Sequence, residues 1–142
     1  MSRVLLFISL VFFFHLSASA QSKDEATIRK MMAEQVTEWN NGNIEGFMGG
    51  YWHNDSLMFI GSSGPQYGYN TTLARYKAKY PDVAHMGSLA RNIVSIKKLS
   101  ADYYFVIGKW GLKRTAGDVD GSFSLLIKRI KGELKIVVDH SS

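Results

Sequence analysis

The sequence predicts an α+β domain in which three N-terminal helices pack on one face of a strongly curved antiparallel sheet. Three observations carry this prediction. Apolar residues recur at helical spacing through the first half of the chain. From Ser88 onward the period changes to two, in four runs rich in β-branched and aromatic residues. Turn segments such as "TAGDVDG" and "KGE" join these runs as in an antiparallel meander. Helices first and strands after is the segregated order of an α+β layer pair.

The chain has 142 residues and opens on "MSRVLLFISLVFFFHLSASAQ". A single charge at Arg3, an apolar stretch from Val4 to about Leu16, and the small-x-small pattern Ala18-Ser19-Ala20 describe a secretory signal cleaved after Ala20. The expected product is an exported protein, periplasmic or secreted, that starts at Gln21 and is free of the membrane. The competing reading, an uncleaved anchor, needs about 20 apolar residues, and this run is shorter. Residues 21–142 are then one domain with one core, too small for separate cofactor and substrate lobes.

The first helix opens at "SKDE", where Ser22 with Glu25 three residues on forms a capping box, and places Ile28, Met31, Met32, Gln35, Val36 and Trp39 on one stripe. Asn40-Asn41-Gly42 ends it. A short second helix starts at Asn43; its glycines weaken it, so packing of Ile44, Phe47, Met48 and Tyr51 has to hold it. "SLMFIG" reads as a strand, and "SSGPQYGY" as a turn-rich loop that forms a hairpin-like lip. "NTTLARYKAKYP" gives a third helix, capped by Asn70 and ended by Pro81.

Alternation assigns the faces of the four later strands. Tyr104, Val106, Gly108, Trp110 and Leu112 share an uncharged side that should meet the helices, opposite Tyr103, Phe105, Ile107, Lys109 and Lys113. In the last run Leu134, Ile136, Val138 and His140 share a face, so His140 is expected to extend the apolar stripe to the rim of the core. Tyr103, Phe105, Ile107, Leu126 and Ile130 fall on the outer face. So many large apolar groups on one open sheet face predict a homodimer through that face.

The order of "WNNGNIEGFMGGYWHNDSLMFIG", "IGKWGL", "GSFSLLIKR" and "KIVVDHSS" resembles the nuclear transport factor two-like superfamily. The similarity is to the branch that includes SnoaL-like polyketide cyclases, ketosteroid isomerases and uncharacterised exported proteins, and it spans Glu25 to Ser142. The resemblance implies a cystatin-like cone of helices against a bent sheet, with an internal pocket. The uncharacterised group often has a tryptophan just before the last strand, where this chain has Leu134. Ketosteroid isomerases carry a carboxylate base at the end of the first strand and an oxyanion-donor tyrosine in the first helix. Here that strand is "SLMFIGSSG" and that helix lacks tyrosine, so the isomerase mechanism does not transfer.

His140 is the candidate catalytic residue, since an imidazole at a pocket rim serves as acid, base or donor near neutral pH; the alternative is a structural histidine. Asp139 is its neighbour, but a dyad between them requires the strand to end at Val138, because adjacent strand residues point to opposite faces. The candidate ligand-binding residues are Trp39, Phe59, Tyr76, Trp110 and His140, with core packing the alternative for the aromatics. Gly108 leaves space for a sheet bend or a ligand.

Composition narrows the chemistry. With no cysteine, a disulfide framework, a thiolate zinc site and a cysteine nucleophile are excluded. His53 and Asp55, with Asp139 and His140, are four potential metal ligands, but their spacing does not specify a site, and no metal is expected. "GSSGPQYG" lacks the P-loop lysine, so no nucleotide cradle and no cofactor are expected. Removing Arg3 from seventeen Lys and Arg leaves sixteen against twelve Asp and Glu, a net charge of +4. Seven of those cations lie between Lys109 and Lys135 but alternate with apolar residues, as on a solvated sheet face, and nucleic-acid binding is not expected. Asn54-Asp55-Ser56 and Asn70-Thr71-Thr72 fit the glycosylation acceptor pattern. The expected partner is a small apolar or aromatic molecule in the cone; the alternative is a small cofactor-independent isomerase, cyclase or hydratase using His140.

Overall fold

The computed structural model describes the backbone from Ser2 to Ser142 and the side chains of residues 20–21 and 23–142. Four helices and six strands come in the order α1 (Ser2–Asn40), α2 (Ile44–Met48), β1 (Met58–Gly61), β2 (Gly64–Tyr67), α3 (Tyr69–Lys79), α4 (Val83–Met86), β3 (Ser88–Lys98), β4 (Tyr103–Lys113), β5 (Val119–Ile130) and β6 (Glu133–Ser141). The strands form one curved, open sheet in the order β2-β1-β6-β5-β4-β3. The meander β3 to β6 is antiparallel throughout, while β1 joins it parallel to β6.

The expected signal segment lies, Ala20 apart, outside the residues whose side chains are described. Among the described residues, no helix is long and apolar enough to cross a membrane. The α1 backbone runs through Ser22 without a break, so the expected capping box does not start a helix in this chain. The face of α1 that meets the sheet carries Ile28, Met32, Gln35 and Trp39, all buried and one turn or two apart. Past its midpoint α1 is fastened by Asp24, whose carboxylate accepts hydrogen bonds from Tyr104 (2.7 Å) and Arg129 (2.6 Å). Its exit is fastened by Asn40. That amide donates to the Leu89 carbonyl and accepts from the Leu89 N–H, supplying a β-ladder partner at the start of β3.

Asn43 caps α2 through a hydrogen bond from the Gly46 N–H, and Ile44, Phe47 and Met48 are buried as the sequence requires. For α3 the cap differs from expectation. The helix starts at Tyr69 after Gly68 and has no side-chain cap, so Asn70 is inside the first turn, not before it. Gly68 sits at φ +98, a conformation that only glycine adopts without strain, and this sets the start. The short α4 was not visible in the sequence; Asp82 caps it.

The face alternation of β4 agrees with the sequence: Tyr104, Val106 and Leu112 are buried, and Phe105 and Ile107 are exposed. The alternation of β6 does not. Leu126 pairs with Val138 but Ile127 pairs with Ile136, leaving Val137 as an extra residue in β6. This bulge reverses the phase of everything after it. Ile136 and Val137 both point into the core, and Asp139 turns inward after them to complete burial. His140 is thereby turned to the outer face and is exposed, the reverse of the expected orientation.

Candidate functional site

A cavity of about 140 Å³ opens between the helices and the inner face of the sheet. Six elements contribute wall residues through the periodicity that shaped their core faces: Trp39 from α1, Phe47 from α2, Phe59 from β1, Tyr76 from α3, and Arg91 and Trp110 from β3 and β4. The aromatic wall is held edge to face. Tyr76 lies 5.3 Å from Phe47, 5.7 Å from Phe59 and 6.0 Å from Trp39, ring centre to ring centre. Such contacts fix ring orientation beyond what burial alone does.

Four of the five residues expected at a ligand site therefore meet around this cavity: Trp39, Phe59, Tyr76 and Trp110. The two tryptophans differ in one respect. The Trp39 indole N–H donates to the Met86 carbonyl at 3.0 Å, as a buried indole ordinarily does. The Trp110 Nε1 is shut off from solvent with no partner among the described residues.

His140 is not at this site. It lines a separate shallow groove on the outer face with Val94 and Ile107, and the bulge at Val137 is the cause. Asp139 and His140 point to opposite faces because β6 continues to Ser141, so they form no dyad. The four candidate metal ligands are scattered: His53 stacks on the Tyr69 ring at the surface, Asp55 is exposed, Asp139 is in the interior and His140 is outside.

The polar residues were either missed or, as with Asp139, placed on the wrong face. Asp139 is the one carboxylate fully buried among the described residues. Its Oδ2 accepts from the Tyr51 hydroxyl and its Oδ1 from the Ser141 hydroxyl, each at 2.6 Å. Burial pushes its carboxyl above the usual range, and the Ser141 and Tyr51 hydrogen bonds with the Arg91 charge only partly offset this. Burial and the Asp139 charge likewise raise the Tyr51 and Tyr76 phenols, which stay protonated at any physiological pH.

Arg91 stands directly opposite Trp110 across the β3–β4 ladder. Its Nη1 donates to Gln35 Oε1 at 2.8 Å, and Gln35 in turn donates to the Phe47 carbonyl, so the guanidinium is braced from α1. It also lies over the Phe47 and Phe123 rings. Arg75 approaches from α3, over the Phe59 ring and hydrogen-bonded to Ser63 in the β1–β2 turn. The sequence carried one signal for these: in "SLARNIVSI" Arg91 shares the stripe of Leu89 and Ile93, a charge at an inward position.

Among solved structures, an NTF-2 like protein of unknown function from Shewanella oneidensis MR-1 is 38% identical. The match covers 84% of this chain and 98% of that one, with a TM-score of 0.80. The chain belongs to the NTF2-like family. More distant NTF2-like folds match as well. A ketosteroid isomerase-like protein from Erwinia carotovora atroseptica SCRI1043 is 17% identical over 82% of this chain and 93% of that one, with a TM-score of 0.64. A hexachlorocyclohexane dehydrochlorinase is 14% identical over 88% of each chain, with a TM-score of 0.70. At these identities the likeness is one of fold. No protein-family model and no curated protein matches the sequence.

Proposed function

We propose that this NTF2-like protein is an exported binding domain that holds a small, largely aromatic molecule in the cavity between helices and sheet. The observation that carries the reading is the Trp110 indole N–H, buried in an aromatic wall and left without an acceptor. A buried donor without a partner is costly, and a ligand acceptor at that point removes the cost. The cavity size agrees, since about 150 Å³ of closed apolar space holds a benzene ring. Edge-to-face packing pre-orders the wall, so little side-chain entropy is lost on binding.

Enzymatic turnover is the second reading, suggested by the printed names of the dehydrochlorinase and isomerase-like neighbours. His140 no longer serves it, being on the far side of the sheet. Asp139 would have to act in its place, but both its oxygens already accept hydrogen bonds and it does not line the cavity. Geometry therefore favours binding over proton transfer.

The test is intrinsic fluorescence of the purified protein titrated with a panel of small aromatic metabolites, neutral and charged, repeated with Trp110→Phe. Saturable binding by at least one compound, weakened in the variant, supports the reading. A panel without a saturable binder removes it. The homodimer belongs to the same proposal. Val94, Phe105 and Ile107 leave an apolar outer face on β3 and β4, with Phe105 40% and Ile107 38% exposed. Sedimentation equilibrium at micromolar concentration should show a dimer that Phe105→Glu dissociates; a monomeric parent protein refutes it.

A further inference from the structure

The charge on the cavity wall narrows the ligand class. Three cationic side chains, Arg75, Lys79 and Arg91, line the cavity together with Ser141 and Ser142, and no Asp or Glu side chain does. Among the described residues, neither Arg75 nor Arg91 has a carboxylate within 4.0 Å, although other cations in the protein do. Asp139 acts on Arg91 only across a distance, its two oxygens being occupied by Tyr51 and Ser141.

Both guanidinium groups are also short of partners in the same way as Trp110. Arg91 Nε and Arg75 Nη1 are each shut off from solvent with no acceptor among the described residues. One other nitrogen of each is engaged in a way that sets direction: Gln35 holds Arg91 Nη1 from α1, and Ser63 holds Arg75 Nη2 from the β1–β2 turn. Three residues that line one small cavity therefore each hold an N–H donor without a partner among the described residues, two of them cationic. Arg75 and Arg91 are half-buried, and a cation in such a setting with no carboxylate in reach attracts an anion more strongly than one in open water does. A carboxylate answers all of this at once. It brings one negative charge and several lone pairs, and it accepts from guanidinium and indole N–H with short, charge-assisted bonds.

We infer that the ligand is a small aromatic monocarboxylate, its carboxylate between the cross-strand pair Arg91–Trp110 and Arg75, its ring against Phe59 and Tyr76. The inference rests on the cavity being the ligand site and adds the charge of what enters it. The cavity volume is that of a single ring. Lys79, exposed at the mouth, adds to the field that draws an anion in.

The experiment compares phenylacetate with phenylacetamide, which has the same shape without the charge, by isothermal titration calorimetry at low ionic strength. The expected result is that phenylacetate binds roughly tenfold tighter or more, the scale of hydrogen bonds to a charged group. Arg91→Gln and Arg75→Gln should each shrink that ratio toward one, the acid losing more affinity than the amide. Arg75→Gln leaves the Gln35 brace untouched, so it stays informative if Arg91→Gln does not fold. Equal affinity for acid and amide overturns the inference and leaves the cavity reading in place. Binding by neither overturns the inference, and the panel of small aromatic metabolites then decides the cavity reading. A preference for the acid that survives both arginine substitutions also overturns it, by placing the anion elsewhere.

Discussion

Replacing Tyr51 by Phe removes one oxygen atom from the middle of the core. The ring keeps its place against Phe47, since the tilted contact at 5.8 Å does not involve the hydroxyl. The 2.6 Å hydrogen bond to Asp139 Oδ2 is lost, in a site where both residues are buried. A hydrogen bond to a charged group contributes about 1.5–3 kcal/mol, and an unpartnered buried acceptor sits at the upper part of that range. For a domain of this size, ~2 kcal/mol corresponds to a fall in Tm of roughly 5–10 °C. The loss also depends on pH. Burial holds the folded Asp139 carboxyl above its unfolded value, so the folded state binds the proton more tightly and stability falls as pH rises through that interval. The Tyr51 hydrogen bond moderates the rise. Without it the folded value climbs further, and the gap between variant and parent must widen with pH. Urea denaturation monitored by circular dichroism at pH 5 and pH 8 measures this. A difference under ~0.5 kcal/mol at both values, or one that narrows toward pH 8, would refute the assignment of Asp139 as a buried carboxylate dependent on Tyr51.

Three other contacts lead to measurable outcomes. Asp24→Asn should cost about 1–2 kcal/mol in urea denaturation at pH 7, because it weakens the hydrogen bonds that fasten α1 to Tyr104 and Arg129. Burial raises the Asp24 carboxyl, but the Arg129 and Tyr104 hydrogen bonds more than offset this and hold it below its ordinary value. Its contribution is therefore present above the unfolded value and lost as pH falls through the folded one, so parent and variant converge in acid. Gly108→Ala should destabilise by about 1–3 kcal/mol or more in the same assay, because a Cβ there overlaps the Asn92 carbonyl oxygen and the Phe123 ring. His140→Ala should leave cavity binding, measured by calorimetry, within about twofold of the parent, a change of roughly 0.4 kcal/mol; a larger loss would return His140 to the site.

The periodic parts of this fold were legible because burial on a regular element leaves a regular trace. The α1 stripe ending at Trp39, the apolar positions of α2 and the faces of β4 all come from spacing. Legibility failed where one residue breaks the period. In "KIVVDH" the two valines are apolar in either phase, so nothing in the string shows that Val137 is an insertion against β5, and the error falls on Asp139 and His140. The aromatic half of the site was readable for the same reason as the core, of which it is the open end. The polar half was not, because its partners are distant in sequence. Tyr51 reaches Asp139 across 88 positions and Gln35 braces Arg91 across 56, and no local pattern encodes such pairs.

The sharpest test of a ligand acceptor at Trp110 is the set of indole N–H signals in a ¹H–¹⁵N NMR spectrum, where each of the three tryptophans reports separately. Trp39 is bonded to Met86 and Trp110 has no partner among the described residues, so the two should respond differently when phenylacetate is added. With Trp110→Phe used to assign its signal, the Trp110 resonance should move downfield and saturate while that of Trp39 stays close to its starting position. A Trp110 resonance that does not move at millimolar phenylacetate, with the protein folded, contradicts a ligand acceptor at that indole.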